Sequence, residues 1–552
     1  MQITIINLTT SQLSCTCHDF LPKSKVSKPT KDPESGKLIR HSRDYTITLN
    51  SSTSKTMTNW KYGGLVGSRR LTLKALTDAS SNLPLASETE EDSVGCWSWV
   101  FPAKSTAAPT VLEEKTNPGL PTRVSKESKE LLLTTTAAPA AAGETISLSL
   151  SSGAPFKRVC TPKDSPWRIY TTKVGKKHYN VIILKRRDAS AFLSDFPDTL
   201  PLSSLCLPGT HETIAFHGWP ISQCQSGSTL LDQQLQQGIR FIDIRLALVS
   251  GKLITYHGIY PERTLFQDIL TSVHNFLTSP NSSRETLILS IKQEDYNTTP
   301  LPDFSNAVHS EITQGPGGMD MWFLKNKIPT LGEVRGKVIL FSRFGGNGDG
   351  WEDGLEGLGI HPTTWPDSDK DGFSWTCKDT LVRTQDWYEI PSFLSIPEKV
   401  QLSTQLLLPY VDPTNPPPPT PTPTLSITFF SASKFPLSLP PTIAQGSGFP
   451  SWGLGFEGVN SRVVKWLLDR LAGVPIQVGG ATPTTTPTAL NEKPATGSGD
   501  TNNDGIVNVH ASGEPRLRGW ALSDFYDDPE ESLVPLLIEC NYWGRKTGEE
   551  GW

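Results

Sequence analysis

The sequence predicts an α/β fold preceded by a β-rich segment, and three observations carry that prediction. From about residue 195 strand-like apolar runs alternate with helix-like periodicity. Before residue 190 only short alternating segments occur. Several of the later strand-like runs end in polar side chains that a core would not select. Repeated strand–helix units predict either a parallel barrel or a doubly wound sheet.

The N-terminal elements come first. Residues 3–9 (ITIINLT), 45–51, 69–76 and 178–185 alternate apolar and polar positions. They predict a β-rich, sandwich-like domain over residues 1–190, with a low-complexity insertion near 103–151 (TTTAAPAAAG at its centre). Residues 191–552 form the second unit. Its expected strands are 202–211, 240–248, 252–258, 285–294, 337–344, 381–388, 426–433 and 519–525. Helical stretches are expected near 228–238, 264–278, 459–471 and 529–541. In the second of these Leu265, Ile269, Val273, Phe276 and Leu277 share one face. A Pro-rich run (411–424) and a Gly/Thr/Pro/Asn-rich run (472–514) interrupt this unit.

The strand ends carry the chemistry. In order they present His211-Glu212, Asp243 with Arg245, His257, Lys292, Arg343, Asp386 with Tyr388, and Asp524. In a β/α barrel the C-terminal strand ends converge on one mouth. In Asp243-Ile244-Arg245 the alternation puts both charges on one strand face. Such charges inside an apolar strand are costly unless paired or used. With two imidazoles, one can take a proton while the other gives one. A guanidinium can hold a phosphoryl group and balance developing charge. Carboxylates behind the imidazoles select their tautomers. The set suits in-line displacement at a phosphodiester by an internal hydroxyl. Taken singly, each residue has a structural reading: a satisfied strand-end histidine, a buried Asp–Arg pair, rim charges. Their joint position at the ends of a β/α series favours the functional one.

The segments LCLPGTHET, QLQQGIRFIDIRL, LITYHGIY, TLILSIKQE, VRGKVILFSRF, RTQDWYEI and GWALSDF resemble the phosphatidylinositol-specific phospholipase C X-domain family. The likeness is to its bacterial-type, metal-independent branch and fungal relatives, over roughly residues 195–545. The resemblance implies a distorted TIM barrel. It implies His211 as general base, Asp524 orienting it, His257 as general acid and Arg245 on the phosphate. Asp243 would support Arg245 or His257. Lys292, Arg343 and Asp386 would bind inositol hydroxyls, and Tyr388 would stack on the ring. The products would be a cyclic inositol phosphate and diacylglycerol. One position departs from the pattern. The residue after the first histidine is usually Asp and pairs with the general acid; here it is Glu212. The extra methylene displaces the carboxylate by about 1.5 Å unless the backbone adjusts. A misplacement of that order can cost about 100-fold in rate.

Composition excludes other classes. The net charge of −5 over 552 residues argues against a nucleic-acid binder working through a broad basic surface. No apolar run reaches bilayer length, and the N-terminus lacks a basic segment followed by a long apolar one, so a cytoplasmic or peripheral-membrane location is expected. The eight scattered cysteines are expected to be reduced, and Cys15-Thr-Cys17 lacks a second pair at zinc spacing. Arg245 supplies the positive charge that a cation would otherwise bring, so neither metal nor other cofactor is expected. The segment 367–372 opens like a calcium loop, but Lys378 stands where a bidentate Glu is needed. The aromatic segment GFPSWGLGF (448–456) is expected to pack over the barrel, with insertion into a lipid interface as the other reading. The alternatives to the lipase reading are a catalytically weak inositol-lipid binding protein and another, metal-dependent phosphodiesterase. Two histidines of opposite protonation demand predict a bell-shaped pH–rate profile with both limbs near neutrality.

Overall fold

The computed structural model describes residues 2–20, 30–31, 38–39, 43–58, 69–76, 144–148, 154–175, 177–345, 351, 353–410, 422–450, 454–473, 506–508 and 516–544. The segments 103–143, 411–421 and 474–505 lie outside them, and with them nearly all of the expected low-complexity runs.

The second unit is an α/β sheet. Its strands are β1 (Cys206–Thr210), β2 (Phe241–Val249), β3 (Lys252–His257), β4 (Tyr260–Leu265), β5 (Leu287–Gln293) and β6 (Trp322–Phe323). They continue as β7 (Val338–Arg343), β8 (Phe373–Cys377), β9 (Thr380–Gln385), β10 (Thr424–Phe429) and β11 (Gly519–Ser523). The spatial order is β6-β7-β5-β2-β1-β11-β10-β9-β8, with β3 hung on β2 and β4 on β3. Neighbours along the path are parallel except β8 on β9. Among the described residues no ladder joins β6 to β8. The sheet is a curled, open one rather than a closed ring of strands.

Strand composition follows from burial on both faces. β5 reads LILSIKQ, and its first five residues are buried. A parallel strand covered on both sides is a continuous apolar run for this reason. The helix α1 (Phe266–Thr278) covers the sheet with Phe266, Ile269, Leu270, Val273, Phe276 and Leu277. Each such side chain contributes about 1.5–3 kcal/mol of burial. Leu265 ends β4 instead, and Phe266 takes its place on the buried stripe. Helices at Leu301–Gln314 and Ile396–Gln405 were not expected, since their apolar faces are short and polar-interrupted.

Gly209 sits where β1 passes its neighbours. A Cβ there would lie 2.9 Å from Phe241 Cβ and 3.0 Å from Leu522 Cγ. Both neighbours are core residues of adjoining strands and cannot yield freely. Gly209→Ala is expected to lower stability by about 1–3 kcal/mol in a chemical denaturation curve.

The N-terminal strands build two further sheets. One, in spatial order, has strands 506–508, 53–58, 2–8, 178–185, 167–175 and 156–159, and the other 43–49, 12–20, 69–76 and 144–148. They share a core of Ile3, Ile5, Leu13, Cys15, Cys17, Leu73, Ile169 and Val181. The opposite face of the larger sheet (Ile6, Leu8, Tyr170, Ile182, Leu184) packs on Leu407, Val463 and Leu537 of the second unit. Two-sided burial explains why the expected alternation of 178–185 gives way to a continuous apolar run over 181–184. Two departures from the expected linkers appear: 144–148 and 506–508 are strands, because each finds a sheet edge to pair with. No helix among the described residues is long and apolar enough to cross a membrane.

Candidate active site

Register alone assembles much of the site. Thr210 of β1 lies opposite Ser523 of β11, so the next residues, His211 and Asp524, emerge side by side. Arg245 of β2 lies opposite Lys292 of β5, which lies opposite Arg343 of β7. Three cations therefore stand in one row across three parallel strands, and they need anions.

The anions are Glu212, Asp243 and Glu294. Glu212 Oε1 is 2.5 Å from Arg245 Nη1, Glu294 Oε1 is 3.3 Å from the same nitrogen, and Asp243 Oδ2 is 3.5 Å from Arg245 Nε. Lys292 Nζ donates to Glu294 at 2.8 Å. Asp243 also lies 3.9 Å from Arg343 and accepts from Ser290 at 3.0 Å. Burial would raise the Asp243 carboxyl, but Arg245 and Arg343 outweigh it and hold it well below the usual range. Burial disfavours charge on Arg245 too, and its surrounding carboxylates keep it charged. Arg245 Nε and Arg343 Nη1 are buried without a hydrogen-bond partner. Both nitrogens face the Asp243 carboxylate, at 3.5 and 3.9 Å, without aligned hydrogen-bond geometry.

The hydrogen bonds select the tautomer of His211. Arg245 Nη2 lies 2.9 Å from His211 Nε2, and a guanidinium can only donate, so Nε2 accepts. Nδ1 therefore carries the proton and donates to Asp524 Oδ1 at 2.8 Å. Gln225 Nε2 clamps the backbone by donating to the carbonyls of His211 (2.7 Å) and Ser523 (3.0 Å). Phe429 packs edge-on against the ring.

His257 ends β3, and its ring stands 6.4 Å from that of His211. Its Nδ1 donates to the Ser222 carbonyl at 2.6 Å, which leaves Nε2 facing Glu212 Oε1 at 3.8 Å. Burial and the Arg245 charge lower the His257 pKa. Glu212 follows His211 in a left-handed backbone conformation (φ 44°). Burial pushes its carboxyl up to about 8. Arg245 opposes this shift but is shared with Asp243 and Glu294, and Glu212 Oε1 has no aligned hydrogen-bond donor. Burial prevails and holds the Glu212 carboxyl above the usual carboxylate range.

A cavity of about 860 Å³ opens over these groups. His211, Arg245, His257, Lys292, Arg343, Asp386, Tyr388 and Asp524 all line it. Glu212 and Asp243, both buried, do not. Both stand behind the wall: Glu212 faces Arg245 and His257, and Asp243 lies against Arg245 and Arg343. Asp386 Oδ2 accepts from Trp365 Nε1 at 2.9 Å, and the Arg343 guanidinium lies 3.9 Å over the Trp365 ring. Tyr388 donates its hydroxyl to Asp367. That bond belongs to the 367–372 segment, which forms a turn. The metal-compatible grouping found among the described residues is instead His211, Cys224 and Asp524.

Glu294, Trp365, His361 and Cys224 are among the wall residues that went unseen in the sequence. Glu294 was within reach, because Lys292-Gln293-Glu294 repeats the alternation of Asp243-Ile244-Arg245. The others come from loops without a strand-end signature. Of the aromatic segment, Phe449 and Leu454 are exposed while Phe456 stacks on Phe393 at 4.4 Å. Only part of it packs down, and Trp452 lies outside the described residues.

Fold and site together define an α/β protein with paired imidazoles and an anion-seeking guanidinium at the ends of parallel strands. Residues 200–344 match the family model for the X domain of phosphatidylinositol-specific phospholipase C. GTH, DIR and YHG lie inside that match, whereas Asp386 and Asp524 lie beyond it. The 1-phosphatidylinositol phosphodiesterase of Listeria monocytogenes serovar 1/2a is 33% identical over 192 residues, 31% of this chain and 56% of that protein. The protein of the same name from Staphylococcus aureus strain Newman is 26% identical over 166 residues, 28% and 51% of the two chains. The chain thus spans about half the length of the curated relatives it matches. Among solved structures, the Listeria monocytogenes phosphatidylinositol-specific phospholipase C aligns over 64% of this chain and 99% of its own. Its TM-score is 0.38 at 20% identity. A Staphylococcus aureus counterpart aligns over 64% and 98%, with TM-score 0.42 and 17% identity.

Proposed function

We propose that this protein cleaves phosphatidylinositol-type lipids by general acid–base catalysis, giving cyclic inositol phosphate and diacylglycerol. The observation that carries the reading is the tautomer of His211: Asp524 holds the Nδ1 proton, so Nε2 keeps its lone pair at the cavity wall, where it accepts from Arg245 Nη2 until a substrate hydroxyl takes that place. His211 Nε2 takes the inositol 2-hydroxyl proton as the oxygen attacks phosphorus. Arg245, which lines the cavity, holds a phosphate oxygen and balances the charge that develops. The leaving diacylglycerol oxygen receives a proton from His257, which Glu212 resupplies. Lys292, Arg343 and Asp386 take inositol hydroxyls, and Tyr388 lies against the ring. This chemistry requires no metal.

The same reading extends to the fold and the surroundings. The curled sheet is a distorted TIM barrel of the phospholipase type, over residues 191–552, and residues 1–190 are a β-rich, sandwich-like domain. Exposed Phe435, Leu437, Phe449 and Leu454 supply peripheral contact with the lipid surface.

The test is product analysis with phosphatidylinositol vesicles in EDTA, beside His211→Ala. Cyclic inositol phosphate from the wild type alone is expected, and its absence would overturn the proposal. The pH dependence has a definite sign. The Glu212–His257 pair loses its proton as pH rises through about 8, so the rate falls there rather than close to neutrality. In Glu212→Gln the donor is His257 alone, whose pKa is lowered. The alkaline limb should move to lower pH and kcat should drop about 100-fold. An unmoved limb would remove Glu212 from the proton path.

A further inference from the structure

Cys224 has no part in the chemistry proposed above, yet its thiol stands beside both imidazoles. The residue is buried and lines the cavity wall two positions after Ser222, whose carbonyl holds His257. Its Sγ is 3.8 Å from His257 Nδ1. Ligand atoms of His211, Cys224 and Asp524 lie within 4.8 Å of one another. An imidazole nitrogen, a sulfur and a carboxylate oxygen form a borderline-soft donor set. It suits Zn²⁺ or Co²⁺ rather than Mg²⁺ or Ca²⁺. All three residues open onto one cavity, which leaves a fourth position for water.

We infer that Zn²⁺ binds His211, Cys224 and Asp524 and thereby switches the site off; the inhibitory consequence rests on the acid–base reading above. The proton balance explains the inhibition. A zinc–sulfur bond forms as the Cys224 proton leaves to solvent. Asp524 Oδ1 gives up its hydrogen bond from His211 and ligates the ion, which sheds water. His211 binds through Nδ1, and the proton that stood there moves to Nε2. One proton is released in all, and the neutral ring still carries one N–H. Nε2 then has no lone pair for the substrate hydroxyl. It also presents an N–H to the Arg245 Nη2 that had donated to it from 2.9 Å. Arg245 lies on the Nε2 edge of the ring, across from the ion at Nδ1, so its charge is not at the ligand positions. Zinc therefore opposes the base without replacing any substrate-binding cation.

Titration of the full chain with Co²⁺ reads the site directly, because a thiolate ligand gives a near-ultraviolet charge-transfer band. The band is expected in the wild type and lost in Cys224→Ser. Loss of a partner one shell further out typically weakens metal affinity 10–100-fold. Loss of the sulfur ligand itself should therefore weaken Zn²⁺ inhibition of lipid cleavage at least about 100-fold, with metal-free activity unchanged. Anomalous diffraction from zinc-soaked wild-type crystals needs no variant, and a peak about 2.3 Å from Cys224 Sγ is expected. No band, a band undiminished in Cys224→Ser, or zinc peaks only elsewhere would overturn the site. A protein that shows the Cys224-dependent band yet cleaves no phosphatidylinositol would retain the metal site and refute the lipase reading instead.

Discussion

Arg245→Lys is expected to lower kcat/KM for phosphatidylinositol about 1000-fold. The substitution keeps the charge, so the loss measures geometry. The guanidinium reaches His211 Nε2 at 2.9 Å with one nitrogen and faces Glu212 and Glu294 with a second. Its third, Nε, lies 3.5 Å from Asp243 without an aligned acceptor. A lysine ammonium is a compact charge on a flexible stem and cannot span three directions in one plane. Removing one well-placed donor from a developing oxyanion costs about 100–1000-fold. Here the donor that selects the His211 tautomer is lost as well. The loss should fall mainly on kcat, because Lys292 and Arg343 remain to bind the headgroup. A decrease under tenfold in a variant with a wild-type circular dichroism spectrum would remove Arg245 from the transition state.

Asp524→Asn is expected to reduce kcat by about 1000–10,000-fold with little change in KM. Asp524 is a positioning residue that acts through His211. Its carboxylate can only accept, which places the His211 proton on Nδ1. An amide can turn its NH2 toward Nδ1 and favour the opposite tautomer. Nε2 would then carry a proton and meet the Arg245 N–H as a second donor. Nitrogen NMR of labelled histidine separates this from a packing defect. The His211 resonances should report an Nδ1–H in the wild type and an Nε2–H in the variant. Near-normal turnover, or an unchanged tautomer, would dissociate Asp524 from the base.

Glu212 follows His211 in a left-handed backbone conformation. The carboxylate remains between Arg245 and His257. Its full burial also gives it a proton to share. That proton carries a stability consequence. The folded pKa lies above the unfolded value, so the folded state retains a proton that the unfolded chain releases. Stability contributed by this group is complete below about 4.5 and declines as pH rises toward about 8.

The strands and the residues at their ends are legible in the local pattern of the chain. Periodicity placed β2, β5, β7 and β11 within two residues of their observed limits, because buried parallel strands leave an unmistakable apolar run. It also singled out His211, Arg245, His257 and Asp524, because charges at the ends of such runs have no place in a core. Which of these charges meet, and on which face, follows from how distant segments pack. Arg240 and Arg245 share one short segment, yet Arg240 is fully buried against Glu285 and four backbone carbonyls. Arg245 lines the cavity. Their odd separation sends them to opposite faces, but which face holds the cavity depends on how the sheet curls. Glu212 and Asp243 stand behind Arg245 and His257, and Trp365 and Cys224 join the wall from positions that no local pattern marks. Hydrogen-bond direction, burial and shared counter-charges arise only when distant segments meet, and those three quantities set the tautomer of His211 and the proton on Glu212.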